Sequence, residues 1–385
     1  MNHKKRLLTC LAMAILAGGC IKASNNLTMV VGTYTEQSPS KGIYVMLFDQ
    51  ITGTAQPISS IKASNPSFLT ISNNATHVYA VKEYADNRRG ASAYTLDLAK
   101  GTMTQINSQE CGTLAKTQTK GTPGADPCNI MLYGNHVVTS NYTGGDISVF
   151  PVASDGSLRP EAQYKNLYIG GNVDAHIHCC HMTPDKNFVM ATDLGNDCIW
   201  MFKANNKSEN FLGKAKVAYK APKGTGPRHF VFNQKGTIAY LIGELDGTVT
   251  VLGYHNGKLN ELQRVQASQT KTNGSADIHI SPDGKFLYAS HRLKDEGISI
   301  FSIDQNNGLV KKIGFQPTAA HPRNFAITPN GKYLLVACRD SNVIEVYKRD
   351  ANTGMLTSTM HDIKMGKPVC IQFAPIPKTT CQNVR

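Results

Sequence analysis

Residues 280–304 read ISPDGKFLYASHRLKDEGISIFSID, and residues 327–350 read ITPNGKYLLVACRDSNVIEVYKRD. Both follow one order: apolar residue, hydroxyl, proline, Asx, glycine, basic residue, apolar strand, polar loop, second apolar strand. Proline suits the second position of a turn, and glycine tolerates the positive φ that closes it. Two more copies, MTPDKNFVMATDLGNDCIWMFKAN from Met182 and FNQKGTIAYLIGELDGTVTVLGYH from Phe232, set the starts at 182, 232, 280 and 327, so the spacings are 50, 48 and 47 residues. Fainter copies begin at Ile71 and Met131, stretched by insertions such as that around Gln105 to Pro127.

Each copy reads as strand, Asx-Gly turn, strand, polar loop, strand, with almost no helical periodicity. A period near 50 residues with several strands per copy is the signature of a β-propeller blade. Six copies plus the N-terminal MVVGTYTEQSPSKGIYVMLFDQITG make seven. The C-terminal KPVCIQFAP is a further strand, placed to close the ring with the N-terminal strands and remove an exposed edge. The expectation is one all-β domain, a seven-bladed propeller over 28–378, followed by a tail at 379–385.

The start of the chain, MNHKKRLLTCLAMAILAGGC, has a basic segment, an apolar run from Leu7 to Leu16, and small residues before Cys20. That order reads as an export signal over 1–19, and the apolar run is too short to span a bilayer. Cys20 sits where a lipoprotein signal carries its lipidated cysteine, although Ala17 stands where leucine is usual. The expectation is an exported protein tethered by lipid through a short segment at 20–27, with plain secretion as the alternative. Membrane contact would then come through the anchor alone. The chain holds ten cysteines, of which Cys10 would leave with the signal. Export permits disulfides, and Cys111 with Cys128 is the one pairing expected. No CxxC pair is present, which argues against a zinc ribbon or a thioredoxin-type site.

The formal net charge is +13, and removing the three basic residues of the signal gives 13 − 3 = +10. These charges are scattered, and no helix-turn-helix, zinc-finger or RNA-recognition pattern accompanies them, so no nucleic-acid partner is expected. A small anionic substrate fits better, bound by a monomer or dimer.

The segments VYAVKEY, DPCN, NYTGGDISVF, DAHIHCC, GTGPRHFVF, AYLIGELDGTV, DIHISPDGKFLYASHR, HPRNFAITPNGKYLLVA and PVCIQFAP resemble the propeller lactonases of the 6-phosphogluconolactonase type. Fungal carboxy-muconate lactonizing enzymes are similar to them. The turn motifs are shared by many propellers; GTGPRHFVF followed by AYLIGEL, with HIH and PVCIQF, is far more specific. The resemblance implies a lactone hydrolase without a cofactor, its site at one mouth of the central channel. His176, His178, Arg228 and Glu244 match the family's site positions, and Arg292 and Arg323 match its later arginines. Three departures, Ile177 in HIH, His291 in SHR and Asn129 in DPCN, bear on substrate identity.

Lactone hydrolysis needs an activated water, a polarised carbonyl and a proton for the departing alkoxide. His178 or Glu244 can serve as base, and Arg228 can polarise the carbonyl or hold an anion with its fork. His178, Arg228 and Glu244 are thus the expected catalytic group. His176, Arg292, Arg323 and His279 are expected to bind substrate. Glu83 stands at the blade-two position equivalent to Glu244, and His321 is a further channel candidate. Strand alternation points His229 away from Arg228, as a structural hydrogen-bonder. A zinc site within DAHIHCCHM is disfavoured: His176, His178 and Cys180 share one face, but successive members are about 6.6 Å apart, too far to converge on one ion without bending the backbone. The same residue types also suit a muconate-type cycloisomerase, and an exported propeller can equally serve as a non-enzymatic binder of a ligand or partner.

Overall fold

The computed structural model describes residues 25–115, 122–168, 174–270 and 273–376. The export signal expected at 1–19, Cys20 and the tail at 379–385 lie outside the described residues. All regular structure described is β, in 29 strands grouped as seven sheets. Blades two to seven each take four consecutive strands from the channel outward, blade seven adding the short Ile363–Lys364 at its edge. Blade one is made from both ends of the chain: Pro368–Phe373 is its innermost strand and pairs antiparallel with Asn26–Thr33. The ring closure expected of KPVCIQFAP is therefore observed.

Each blade also carries a fourth, outer strand beyond the three expected, such as Lys258–Gln266 or Val310–Pro317. These strands are largely solvent-facing and lack the apolar runs that marked the other three. The repeat as read also begins late, since Ile280 and Ile327 are the last residues of innermost strands.

The repeated turn has one construction. In Ser281 to Phe286 the Ser281 hydroxyl donates to Asp283 Oδ1 at 2.5 Å and accepts the Phe286 N–H at 3.0 Å. Thr183 and Thr328 do the same with Asp185 and Asn330. The residue after the Asx takes a left-handed conformation, with φ of 71° at Gly284, 69° at Gly331 and 61° at Lys186.

Packing follows the ring. Seven apolar clusters fill the interfaces between neighbouring blades, including the one between blades one and seven. Each fully buried Leu, Ile, Val, Phe or Met side chain in them contributes roughly 1.5–3 kcal/mol. Buried tyrosines tie the blades further: Tyr240 donates to Gly308 O at 2.8 Å, Tyr288 to Gly354 O at 2.8 Å, and Tyr333 to Ile51 O at 2.8 Å across the closure.

Cys111 and Cys128 are both free and buried, contrary to the pairing expected. The Cys111 thiol meets the Thr139 hydroxyl at 3.4 Å, whereas Cys128 points among the carbonyls of Ser140, Ile177 and His178. Each thiol fills its own core position rather than bridging a loop.

Candidate functional site

The seven innermost strands run in one direction along the channel, so their first residues meet at one mouth. Six enter through a similar irregularity, a bulge that leaves residues of the innermost strand unpaired with the second strand: one each at Cys128, His178, Arg228, Arg323 and Val369, and two, Ala276 and Asp277, in blade six. Bulges re-aim a side chain. A second ring lies just above, formed by the residue after each blade's second strand: Tyr34, Glu83, Tyr142, Leu194, Glu244, Arg292 and Arg339. All seven donate their N–H to the entry segment of their own blade, at 2.8–3.1 Å. The two rings deliver the polar groups of the mouth.

Glu244 is their centre. Its Oε2 accepts Arg228 Nη1 at 2.6 Å, and its Oε1 accepts Arg292 Nη2 at 2.8 Å. Each arginine is also anchored through Nε, Arg228 to Ala276 O and Arg292 to Gly274 O, both at 2.9 Å. Burial would raise Glu244, but the two guanidinium groups outweigh it and hold the carboxyl below its ordinary range. Arg323 lies beside them with Glu83 Oε1 at 3.8 Å and the Tyr34 ring 5.5 Å away. Glu83 in turn accepts the Tyr34 hydroxyl at 2.7 Å and the Ser67 hydroxyl. Three guanidinium groups against two carboxylates leave a local charge of 3 − 2 = +1.

His178 is 3% exposed, its ring edge-on to Tyr142 at 5.6 Å and to His229 at 5.1 Å between ring centres. Burial first, then Arg228 and its neighbours, push its pKa well below the ordinary imidazole value, so the ring is neutral near pH 7. His176 sits at the rim, stacked on Tyr142 at 4.5 Å with Nδ1 3.0 Å from Tyr142 O. His321 also joins the rim, with Nε2 3.3 Å from Arg292 Nη1.

His178, Arg228, Glu244, His176, Arg292 and Arg323 are therefore brought together, with Glu83 opposite. His279 is not. Lying beyond its strand's bulge, it points toward the far end of the channel, where its Nε2 meets Asp277 Oδ2 at 2.9 Å. There it lines a cavity of about 400 Å³ with His181, Cys179, Cys180 and Gln372. His229 does hydrogen-bond Asp277, at 2.8 Å, but it also faces the channel beside His178. The bulge at Arg228 breaks the alternation that would have turned it outward. Among the described residues no three His, Cys, Asp or Glu side chains converge as metal ligands. Tyr34, Tyr142, Ser67 and Asp277 were not anticipated. Their signal was positional: the first two follow a second strand, and Ser67, like Cys128, Arg228 and Arg323, follows a proline.

Known proteins share this architecture. Residues 28–373 match the family described as Lactonase, 7-bladed beta-propeller. A protein of Formosa agariphila named 6-phosphogluconolactonase is 40% identical over 90% of this chain and 99% of its own. A crystal structure from Bacteroides fragilis, provisionally named 6-phosphogluconolactonase, superposes with a TM-score of 0.85 at 44% identity, covering 91% of this chain and 98% of its own. The periplasmic gluconolactonase of Pseudomonas aeruginosa follows with a TM-score of 0.81 at 28% identity, covering 91% of this chain and all of its own (100%). The chain belongs to the seven-bladed β-propeller lactonase family.

Proposed function

We propose that the protein opens the ring ester of a sugar-acid lactone to the free aldonate, with His178 as base and Arg228 and Arg292 stabilising the developing oxyanion. The observation that carries this reading is a neutral, buried imidazole within electrostatic reach of three arginines. A neutral histidine can take a proton from water as the oxygen attacks the carbonyl carbon. The carbonyl oxygen gains charge in that step, and fixed guanidinium donors stabilise it. When the acyl C–O bond breaks, the imidazolium returns its proton to the departing alkoxide. Glu244 suits a different role: held low by two arginines, it is a weak base and fixes both forks in place. Arg323, whose carboxylate contact is long, retains capacity for an anionic group of the substrate.

The relatives' names support an aldonolactone, either 6-phosphorylated or plain. The export signal read in residues 1–19, with lipidation at Cys20, favours the plain lactone, since phosphorylated sugars are cytoplasmic. A panel of plain and 6-phosphorylated aldonolactones, with product identification, tests the reading. Turnover is expected on at least one member and is expected to fall about 10²–10⁴-fold in His178→Gln and Arg228→Ala. Failure of wild-type protein across the panel rejects it. Palmitate labelling that survives Cys20→Ala would reject the anchor.

A further inference from the structure

Asp277 and His229 lie deeper in the channel than His178, and the hydrolysis outlined above uses neither. Asp277 is 2% exposed and fully engaged. Its Oδ1 is 2.8 Å from His229 Nδ1 and 3.0 Å from the Ile278 N–H. Its Oδ2 meets His279 Nε2 at 2.9 Å, Asn324 Nδ2 at 2.6 Å and the Phe325 N–H at 3.3 Å. A carboxylate so placed accepts from His229 Nδ1–H, and in a neutral ring that leaves Nε2 as a bare acceptor.

Two buried nitrogens then stand out. His229 Nε2 and His178 Nδ1 have no hydrogen-bond partner, and the two ring centres are 5.1 Å apart. Two imidazoles joined by an N–H···N bond of about 2.9 Å have ring centres about 5 Å apart. The separation fits such a bond, and rotation of the rings from their present 67° arrangement is what it requires.

We propose that Asp277 and His229 are positioning residues for His178. Asp277 fixes the tautomer of His229, whose Nε2 takes the Nδ1–H of His178 and leaves His178 Nε2 bare to receive the proton of water. The proton gained at Nε2 goes to the departing alkoxide, and none passes beyond His178. The inference rests on His178 acting as the base. It also answers an electrostatic difficulty. The groups around His178 are Arg228, Arg292, Arg323, His229, Tyr142 and the Cys128 thiol, with Glu244 and Glu83 already paired to arginines. Three cations oppose an imidazolium there, and Asp277 is the carboxylate that reaches it through His229.

The test has two parts on the full-length protein. In the wild type, ¹⁵N NMR of the histidine rings is expected to show His229 and His178 both as Nδ1–H tautomers; an Nε2–H tautomer at His178 overturns the proposal without any variant having to fold. Asp277→Asn and His229→Gln, with folding checked by circular dichroism, are expected to lower kcat/KM about 10²-fold or more. Losing the anion disfavours the imidazolium, so the acid limb of the Asp277→Asn profile moves to lower pH. If His178→Gln is inactive while both variants keep wild-type profiles, the relay fails and the proposed function stands. An active His178→Gln removes the premise of both.

Discussion

Glu244 decides how the mouth behaves at the level of single residues. A glutamine there can accept from one guanidinium only, and its amide N–H groups face the other. Arg228 and Arg292 would then stand close together with no carboxylate between them. Removing one partner of a buried ion pair costs about 3–5 kcal/mol, so Glu244→Gln is expected to melt at lower temperature but retain its β spectrum. Catalysis and binding should separate. The misaligned forks are expected to lower kcat about 10²-fold or more, as loss of an oxyanion donor does. The added positive charge should meanwhile tighten binding of the anionic aldonate product. Product-inhibition constants beside kcat check the split, and a glutamine variant with unchanged inhibition and full kcat would deny Glu244 its role in holding the arginines.

Elements explain what could be read ahead of the structure. The turns and apolar strands were legible because their signals are local: a hydroxyl, an Asx and a glycine at fixed offsets, then alternating burial. The site was legible only through resemblance, because alternation fails where it matters. His178, Arg228 and Arg323 sit at bulges, and a bulge shifts every later side chain by one position. That shift turned His229 inward and carried His279 away from the arginines. The outer strands were illegible because water covers one side of them. The turn itself offers a measurable test. Lys186 is exposed and holds φ at 61°, where Gly284 and Gly331 stand in the sister turns. A left-handed conformation costs an L-residue about 1–2 kcal/mol, against about 0.5–1 kcal/mol for the extra freedom glycine loses on folding. Lys186→Gly is therefore expected to raise stability by about 0.5–1 kcal/mol without altering turnover. A lower denaturation midpoint in the variant would show that the lysine relieves that strain by other contacts.

Across the whole molecule, the closed ring makes acid sensitivity a collective property. Burial holds the rings of His178, His229, His291 and His321 below the ordinary imidazole pKa, His291 at about 3. His291 is wholly enclosed, with Nδ1 2.7 Å from the Ser275 hydroxyl and Nε2 3.0 Å from that of Ser299. A depressed base favours the folded state only while the unfolded histidine is also neutral. As pH falls below about 6.5 the unfolded chain binds protons that the folded chain refuses, and each such ring withdraws about 1.4 kcal/mol per pH unit. For His291 the loss runs from about 6.5 down to its folded value of about 3. His279 acts in the opposite sense: burial lowers it, but Asp277 outweighs this and raises it, so its contribution is complete in acid and fades as pH rises. With His181, lowered to about 4, five depressed rings outnumber one raised ring, so net stability should fall between pH 7 and pH 5, before ordinary carboxylates titrate. Because every blade packs on two neighbours, the loss should appear as one shift of the whole transition. His291→Gln should melt lower at pH 7.5, having lost its fit between two serines, yet lose less than the wild type on going to pH 5. Equal acid slopes in the two proteins would place the sensitivity elsewhere than in the buried imidazole.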